Sequence, residues 1–290
     1  MLDENELDTF FASHRWSPVT QDTYRRALLR LAKEVEPESL KDWSPADFRH
    51  WLEGHDTWGE SIRWLAYLAV RHYLRWKFGA SHPALLYKFR RYERGKPQRT
   101  LTAEQVARLL DVIDTDTLTG KRNLALVYLL LDTGLRASEV CRLSLRHLDL
   151  EQRTFQVLAK GGQWRTGVFS PTAQEALRGW LQVRDEVAAE GVKNVFVAVG
   201  GAKPGRPLTR QGLRVIVMKL GQKAGIKVTT HDFRRTFATL SLRAGAPSRL
   251  VQVAGGWKSL EMVERYSRAI VPQDFQRYFP AEYVLKQKPK

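Results

Sequence analysis

Residues 129–143 read LLLDTGLRASEVCRL, and this stretch joins two helical segments through a tight corner. We predict a helix over Lys121–Thr133 that Gly134 ends with a left-handed cap, the conformation that glycine adopts at lowest cost. Arg136 follows the glycine, and Glu139 lies three residues later at the start of the next helix. Taken alone, this pattern also fits an ordinary arginine at a helix N-terminus that pairs with a nearby glutamate.

Two more segments downstream carry polar residues in defined contexts. Thr154–Leu158 and Trp164–Phe169 flank the sequence AKGGQ, whose two glycines favour a β-hairpin with Lys160 near its tip. The segment TTHDFRRTFAT places His231 and Arg234 three positions apart near a helix start, and therefore on one helical face. Singly, a hairpin lysine is usually a solvated turn residue, and the His/Arg pair also fits a surface capping region.

A last segment, GGWKSLEMVERYSRA, places Trp257 nine residues before Tyr266. We predict a short polar helix over Leu260–Arg268, which would carry the tyrosine, and further helices over Thr209–Ala224 and Asp232–Ala244. An isolated tyrosine is usually part of a core or of the surface, so Tyr266 alone indicates little.

The first hundred residues predict an all-helical domain. Apolar residues spaced three and four apart favour a helix over Val19–Val35, and Gly59–Phe78 is a long, aromatic-rich amphipathic stretch. The basic segment Lys88–Thr100 has the composition of an exposed connector, or of a strap that contacts phosphates. We therefore predict a helical domain over 1–90, a basic linker over 91–100, and a mainly helical domain with a small antiparallel β-sheet over 101–290.

The charge balance indicates a polyanionic partner. The chain of 290 residues has a formal net charge of +16 and a pI near 10.1. Nucleic acid is the first candidate and an anionic membrane surface the second. The longest apolar run, Leu124–Leu131, is far shorter than the roughly 20 residues that span a bilayer, and no secretion signal is expected at the acidic N-terminus. The single cysteine, Cys141, fits a reducing, cytoplasmic compartment.

The sequence predicts no cofactor and no metal site. It contains no Walker A loop, no Rossmann glycine fingerprint in a βαβ context and no His-Glu-x-x-His helix. The seven histidines do not pair at ligand spacing. Any reaction that this chain catalyses is therefore expected to proceed without ATP.

In their order and spacing, the four segments together resemble the tyrosine recombinases, the Xer-like and phage-integrase-like enzymes. The resemblance spans Thr102 to about Arg268, and SPVTQDTYRRAL resembles the first helix of the family's core-binding domain. It implies a two-domain clamp around double-stranded DNA, with a helical N-terminal core-binding domain and a C-terminal catalytic domain. It further implies that four protomers assemble on two specific recombination sites, and that a tail from about residue 267 docks on a neighbouring protomer.

The resemblance implies a role for each of the motif residues. Tyr266 would attack the DNA phosphate, and Arg136 and Arg234 would hold the phosphate and stabilise its developing negative charge. A phenol is unreactive near neutral pH, so His231 is the candidate base, and Lys160 is the candidate acid for the leaving 5′-oxygen. Two further residues complete the set: Glu139 as a supporting acceptor and Trp257 as a hydrogen-bond donor.

One position departs from the usual family pattern. Many Xer-like members carry histidine where this chain has Trp257, and the segment reads AGGWKS where Leu-Gly-His-Ser is more usual. An indole N–H can donate one hydrogen bond but cannot transfer a proton. Acid–base chemistry would therefore depend on His231 and Lys160.

Two other interpretations of the sequence stay open. A type IB topoisomerase would use similar chemistry with a single protomer, and a non-catalytic DNA-binding protein could share the fold. The order of the motifs favours a site-specific recombinase over both. Among recombinases, chromosome-dimer resolution, phage integration and mobile-element transfer remain alternatives, with or without an accessory protein.

Overall fold

A computed structural model describes residues 4–90, 99–158 and 162–267, apart from the side chains of residues 265 and 267. The chain divides into two compact units, Met1–Arg94 and Gly95–Lys290. Within the described ranges, no helix has both the length and the apolar character needed to cross a bilayer.

The described residues of the first unit form helices and connecting loops, with no strand among them. The helices expected over Val19–Val35 and Gly59–Phe78 are confirmed, with small shifts at three of their four ends. Val35 and Gly59 are caps outside the helices, and the earlier helix begins one residue sooner, at Pro18. Ser17 accepts a hydrogen bond from the Thr20 backbone N–H, which caps the earlier of these two helices at a proline. The α-helices are α1 (Glu4–Ala12), α2 (Pro18–Glu34), α3 (Pro45–Glu53) and α4 (Glu60–Phe78), with 3₁₀ turns at Pro37–Asp42 and Pro83–Leu86.

Aromatic rings form the centre of this first unit. Phe10 is fully buried, and the rings of Trp16, Tyr73 and Trp76 lie edge-on to it at centroid distances of 5.4–5.7 Å. The Tyr73 hydroxyl donates to the Glu6 carboxylate at 2.6 Å, so its polar end is satisfied. This ring cluster holds α1 against α4.

The second unit is mainly helical with one small sheet, as expected. Strands β1 (Leu148–Asp149), β2 (Thr154–Leu158) and β3 (Trp164–Val168) form an antiparallel sheet in that order. The expected hairpin is the β2–β3 pair, and β1 adds a third strand that the sequence did not indicate. The helices are α5 (Ala103–Asp111), α6 (Leu118–Thr133), α7 (Ala137–Arg142), α8 (Pro171–Arg184), α9 (Arg210–Lys223), α10 (Thr230–Arg243), α11 (Ser248–Gly255) and α12 (Glu261–Ser267).

Two predicted helices begin earlier than the sequence indicated. Helix α6 begins at Leu118 rather than at Lys121, because the Thr117 hydroxyl caps its first turn by accepting from the Gly120 N–H. Helix α10 begins two residues before Asp232, because the Asp232 carboxylate accepts hydrogen bonds from the backbone N–H and the hydroxyl of Thr229.

Helix α6 is the centre of the second unit. Leu126, Leu129 and Leu130 are almost completely buried, and α6 packs against both α8 and α10. Trp180 on α8 is also fully buried, and its indole N–H donates to the Val195 carbonyl at 2.9 Å. The buried position of α6 fixes where its C-terminal end lies, and the corner described next begins at that end.

Gly134 ends α6 in the left-handed conformation, with φ of 56° and an N–H bond to the Leu130 carbonyl of 3.1 Å. The expected glycine cap is therefore confirmed. A Cβ atom at this position would come within 2.6 Å of the Phe237 ring on α10. Glycine is required here for two reasons, the positive φ and the close approach of a neighbouring helix.

We expect Gly134→Ala to lower the free energy of unfolding by about 1–3 kcal/mol, the usual cost of a strained left-handed residue. Thermal unfolding measures this as a fall in Tm of roughly 2–4 °C per kcal/mol. Gly179→Ala is the matched control, because its new methyl would meet open space within α8, and it should keep or raise the Tm. A Gly134→Ala protein as stable as the parent would contradict the packing argument.

Candidate active site

Arg136 lies in the corner between α6 and α7, and it is the N-cap residue of α7. Its backbone N–H donates to Glu139 Oε2 at 2.9 Å, and its Nη1 donates to Glu139 Oε1 at 2.8 Å. The Glu139 carboxylate is 2% exposed, whereas the Arg136 side chain is 36% exposed. The buried carboxylate therefore orients an arginine whose side chain is itself partly exposed.

Arg234 projects from α10 toward the same corner. It is 3% exposed, and its Nη1 donates to the Gly134 carbonyl at 2.5 Å. Its guanidinium carbon lies 4.1 Å from the centroid of the Trp257 ring, so the planar cation contacts an aromatic face. Its Nη2 is buried and has no hydrogen-bond partner among the described residues. A buried donor without a partner is costly, and a bound anion would satisfy it.

The turn before Trp257 depends on two consecutive glycines. Gly256 ends α11 in the left-handed conformation with φ of 63°, and the Trp257 N–H then donates to the Gln252 carbonyl at 3.0 Å. A Cβ atom at Gly255 would overlap the Trp257 ring at 1.7 Å. The sequence AGGWKS thus provides the space that an indole needs against the end of α11.

Tyr266 lies on α12 and is buried against Trp257. The two ring centroids are 5.5 Å apart, and the Trp257 ring is nearly parallel to Phe237 at 6.1 Å. Tyr266 is 8% exposed. These rings form a small cluster separate from the main core, with Val251 and Val263 completing it. The tyrosine is therefore held beside the tryptophan that contacts Arg234.

His231 lies exposed at the first turn of α10, three residues before Arg234. Desolvation by its neighbours lowers its pKa below the ordinary histidine value, and the cations Arg235, Arg234 and Arg136 lower it further, against the nearby Asp232. The imidazole is then neutral near pH 7, which is the state in which it can accept a proton.

Positive charge is concentrated around Arg234. Burial lowers the pKa of its guanidinium to about 10, and Arg136 and Arg165 act in the same direction, while Glu139 and Tyr266 oppose them. The group is still protonated at neutral pH. A cationic cluster of this kind would attract a phosphate.

The structure brings together six of the seven residues that the sequence selected. Lys160 is the exception, since it lies outside the described residues, as do the last residues of the segment around Tyr266. Among the described residues, no group of three His, Cys, Asp or Glu side chains could hold a metal ion. The six are Arg136, Glu139, His231, Arg234, Trp257 and Tyr266.

Two residues of the site region were not predicted from the sequence. Asp232 is fully buried and accepts hydrogen bonds from Arg99 at 2.5 Å and from Arg235 at 3.3 Å, so it fixes the start of α10. Arg165 lies on β3 and contacts Glu139. The alternation of β3 was a signal for Arg165, because residues 165 and 167 share the inward face, where a charged residue is unusual.

Comparison with known proteins identifies the family. Residues 99–271, more than half of the chain, match the sequence model of the phage integrase family. The chain belongs to the phage integrase family. It is therefore a tyrosine recombinase, an enzyme that cleaves and rejoins DNA, and the resemblance drawn from its motifs is confirmed.

Curated relatives and solved structures agree with this assignment. The chain is 30% identical over 276 residues to tyrosine recombinase XerC of Pseudomonas aeruginosa (strain LESB58), which covers 90% of this chain and 89% of that relative. It is 29% identical over 267 residues to XerC of Haemophilus ducreyi, with coverages of 87% and 84%. XerH recombinase bound to difH in a post-cleavage complex is 21% identical and has a TM-score of 0.73 over 93% of this chain and 80% of that chain. The expected mainly helical fold with a small antiparallel sheet is confirmed.

We expect His231 in the DNA-free recombinase to titrate below pH 6.5, the ordinary histidine value, because desolvation and neighbouring cations disfavour its charged form. Arg235→Ala should raise that pKa, since it removes the cation with the largest effect and leaves Asp232 less neutralised. Proton NMR titration measures both midpoints, with His231→Gln assigning the resonance. A parent midpoint at or above 6.5, or a downward shift in Arg235→Ala, would contradict this account.

Proposed function

We propose that this recombinase cleaves DNA at specific sites by attack of Tyr266 on the phosphodiester, forming a covalent 3′-phosphotyrosyl bond. The observation that supports this most directly is the contact series from Arg234 to Trp257 to Tyr266. Tyr266 packs on the tryptophan that contacts the buried Arg234 guanidinium, and Arg234 Nη2 has no hydrogen-bond partner in the described part of the chain. Among the residues of the site, Tyr266 has the oxygen best suited to form this ester.

In the proposed reaction, Tyr266 Oη bonds to phosphorus while the bond from phosphorus to the 5′-oxygen breaks. Arg136 and Arg234 hold the non-bridging oxygens and stabilise the charge that develops on them. His231 takes the phenol proton, and Lys160 gives a proton to the departing 5′-oxygen. A 5′-hydroxyl from another strand then attacks the phosphotyrosyl ester and releases the tyrosine. Because the ester conserves the bond energy, no ATP or other cofactor is required.

We further propose that Trp257 acts by positioning its neighbours, since its ring faces are in contact with Arg234 and Phe237. Its N–H can add one hydrogen bond to the phosphate, but it cannot move a proton. Glu139 supports the site by orienting Arg136. Substitution of His231 or Lys160 should therefore reduce cleavage more than substitution of Trp257.

We also propose a domain and assembly arrangement that the net charge of +16 and the family support. Residues 1–90 form a core-binding domain, 91–100 a basic linker, and 101–290 the catalytic domain, with a docking tail from about 267. The two domains clamp double-stranded DNA, and four protomers assemble on two recombination sites. The proposed location is the cytoplasm, in keeping with the single cysteine.

The nucleophile is tested with a nicked DNA duplex that carries a site selected from a random-sequence library by binding to the parent protein. We expect Tyr266→Phe to give less than about a thousandth of the parent's covalent adduct on a denaturing gel. Tyr128→Phe, a partly buried tyrosine on α6, is the matched control and should form adduct normally. EDTA should leave cleavage intact, because arginines supply the positive charge. Equal adduct from Tyr266→Phe would exclude this nucleophile.

Assembly and site specificity are tested with two linear duplexes that carry the selected site. We expect recombinant products only when both duplexes carry the site, and chemical cross-linking of the complex should trap four protomers. Relaxation of a supercoiled plasmid that lacks the site, at one protomer per DNA, would instead indicate a topoisomerase. Binding without any adduct would indicate a non-catalytic protein.

A further inference from the structure

Arg165 is a charged residue on the inward face of the β2–β3 hairpin. It pairs in register with Val157, and its side chain is 12% exposed. Its guanidinium carbon lies 5.9 Å from the centroid of the buried Phe155 ring. A charge at such a position is costly to bury unless an opposite charge lies near it.

Two contacts on other elements hold the Arg165 guanidinium. Its Nη1 donates to the Ala254 carbonyl in the last turn of α11 at 2.5 Å, and its Nη2 lies 3.6 Å from Glu139 Oε2. The second distance is too long for a hydrogen bond and describes an ion pair. Nε and Nη2 are buried and have no hydrogen-bond partner among the described residues. The Ala254 carbonyl and the Glu139 carboxylate therefore compensate for burying this charge, and Glu139 is the partner that carries an opposite charge.

The turn that leads to Trp257 is built around the same side chain. A Cβ atom at Gly256 would lie 2.8 Å from Arg165 Nε and 2.9 Å from its Cδ. Glycine suits position 256 because its backbone is left-handed and because a side chain there would crowd Arg165. Arg165 therefore contacts both the segment that carries Trp257 and the carboxylate that orients Arg136.

The position of Arg165 changes the net charge around Glu139. Glu139 is buried between Arg136 and Arg165 and carries a single negative charge. Arg136, Arg165 and Arg234 together with Glu139 have a net charge of about +2. This is the charge that the proposed DNA phosphate would meet when Arg165 is present. Without it, Glu139 would neutralise Arg136 alone, and the phosphate would meet about +1.

We propose that Arg165 is a positioning residue of the recombinase, which offsets the negative charge of Glu139 so that the net positive charge around Arg136 is available to the DNA phosphate. It acts through Glu139 and the Trp257 turn and does not contact DNA itself. This inference rests on the proposed function, because it takes Arg136 and Arg234 as the residues that receive the phosphate.

The test measures single-turnover cleavage of the selected site, DNA affinity and thermal unfolding for the full chain. We expect Arg165→Gln to slow cleavage by about 10- to 100-fold, the loss typical of residues that orient the groups of a charged centre, with DNA affinity changed less than about threefold. Arg165→Lys keeps the charge and should recover cleavage to within about fivefold of the parent. Arg178→Gln, which removes an exposed ion pair on α8, is the matched control and should cleave normally.

A double-mutant cycle separates neutralisation of Glu139 from simple structural support. If Arg165 acts by cancelling the Glu139 charge, Arg165→Gln combined with Glu139→Gln should cleave at least about tenfold faster than the product of the two single effects predicts. Multiplicative effects would overturn the proposal. So would an Arg165→Lys protein that unfolds at the parent temperature but cleaves as slowly as Arg165→Gln.

The proposed function can fail separately from this inference. If Tyr266→Phe forms adduct like the parent, the assignment of the nucleophile fails. If Tyr266→Phe is inactive while Arg165→Gln cleaves at the parent rate, only the role of Arg165 fails. If Arg165→Gln does not fold, Arg165→Lys provides the test. The proposal then requires that Arg165→Lys cleaves to within about fivefold of the parent rate.

Discussion

The contact between the Arg234 guanidinium and the Trp257 ring is the interaction on which the rest of the candidate site depends. It joins α10 to the turn after α11 at 4.1 Å, while the same arginine donates to the carbonyl at the end of α6. Tyr266 packs against Trp257, the aromatic partner in this contact. Three separate elements and the tyrosine helix are therefore positioned by one buried cation, whose burial is favourable only because an aromatic face and a carbonyl replace water.

Burying several like charges close together requires compensation, and Glu139 supplies much of it. This carboxylate lies between Arg136 and Arg165. The pKa of Arg234 is lowered first by its burial and then by repulsion from Arg136 and Arg165. A second buried carboxylate, Asp232, fixes the start of α10 in a similar way. The candidate site is thus a cluster of cations stabilised by two buried carboxylates, Glu139 and Asp232. Its net charge remains positive and would attract an anion.

Glycines decide how closely these groups approach one another. Gly134 admits the Phe237 ring, Gly255 the Trp257 ring and Gly256 the Arg165 side chain. Two of the three also have positive φ values. In the Gly-Gly-Trp segment, Gly255 and Trp257 stand where leucine and histidine are more usual in the family. The larger indole occupies the space that a side chain at Gly255 would need.

Local patterns in the sequence were enough to predict α2, α4, α6, α9, α10, the β2–β3 hairpin and the Gly134 cap, because periodicity and capping act over a few neighbouring residues. The motif order selected seven candidate site residues, and the structure places the six of them that it describes near one another. The sequence did not reveal α8, α11 or the role of Arg165. Helix α11 is only eight residues long, which gives periodicity little to act on. Arg165 could not be singled out from its neighbours in sequence, because its partners Glu139 and Ala254 lie far away along the chain. Such contacts depend on how the helices pack, and only the tertiary structure decides that.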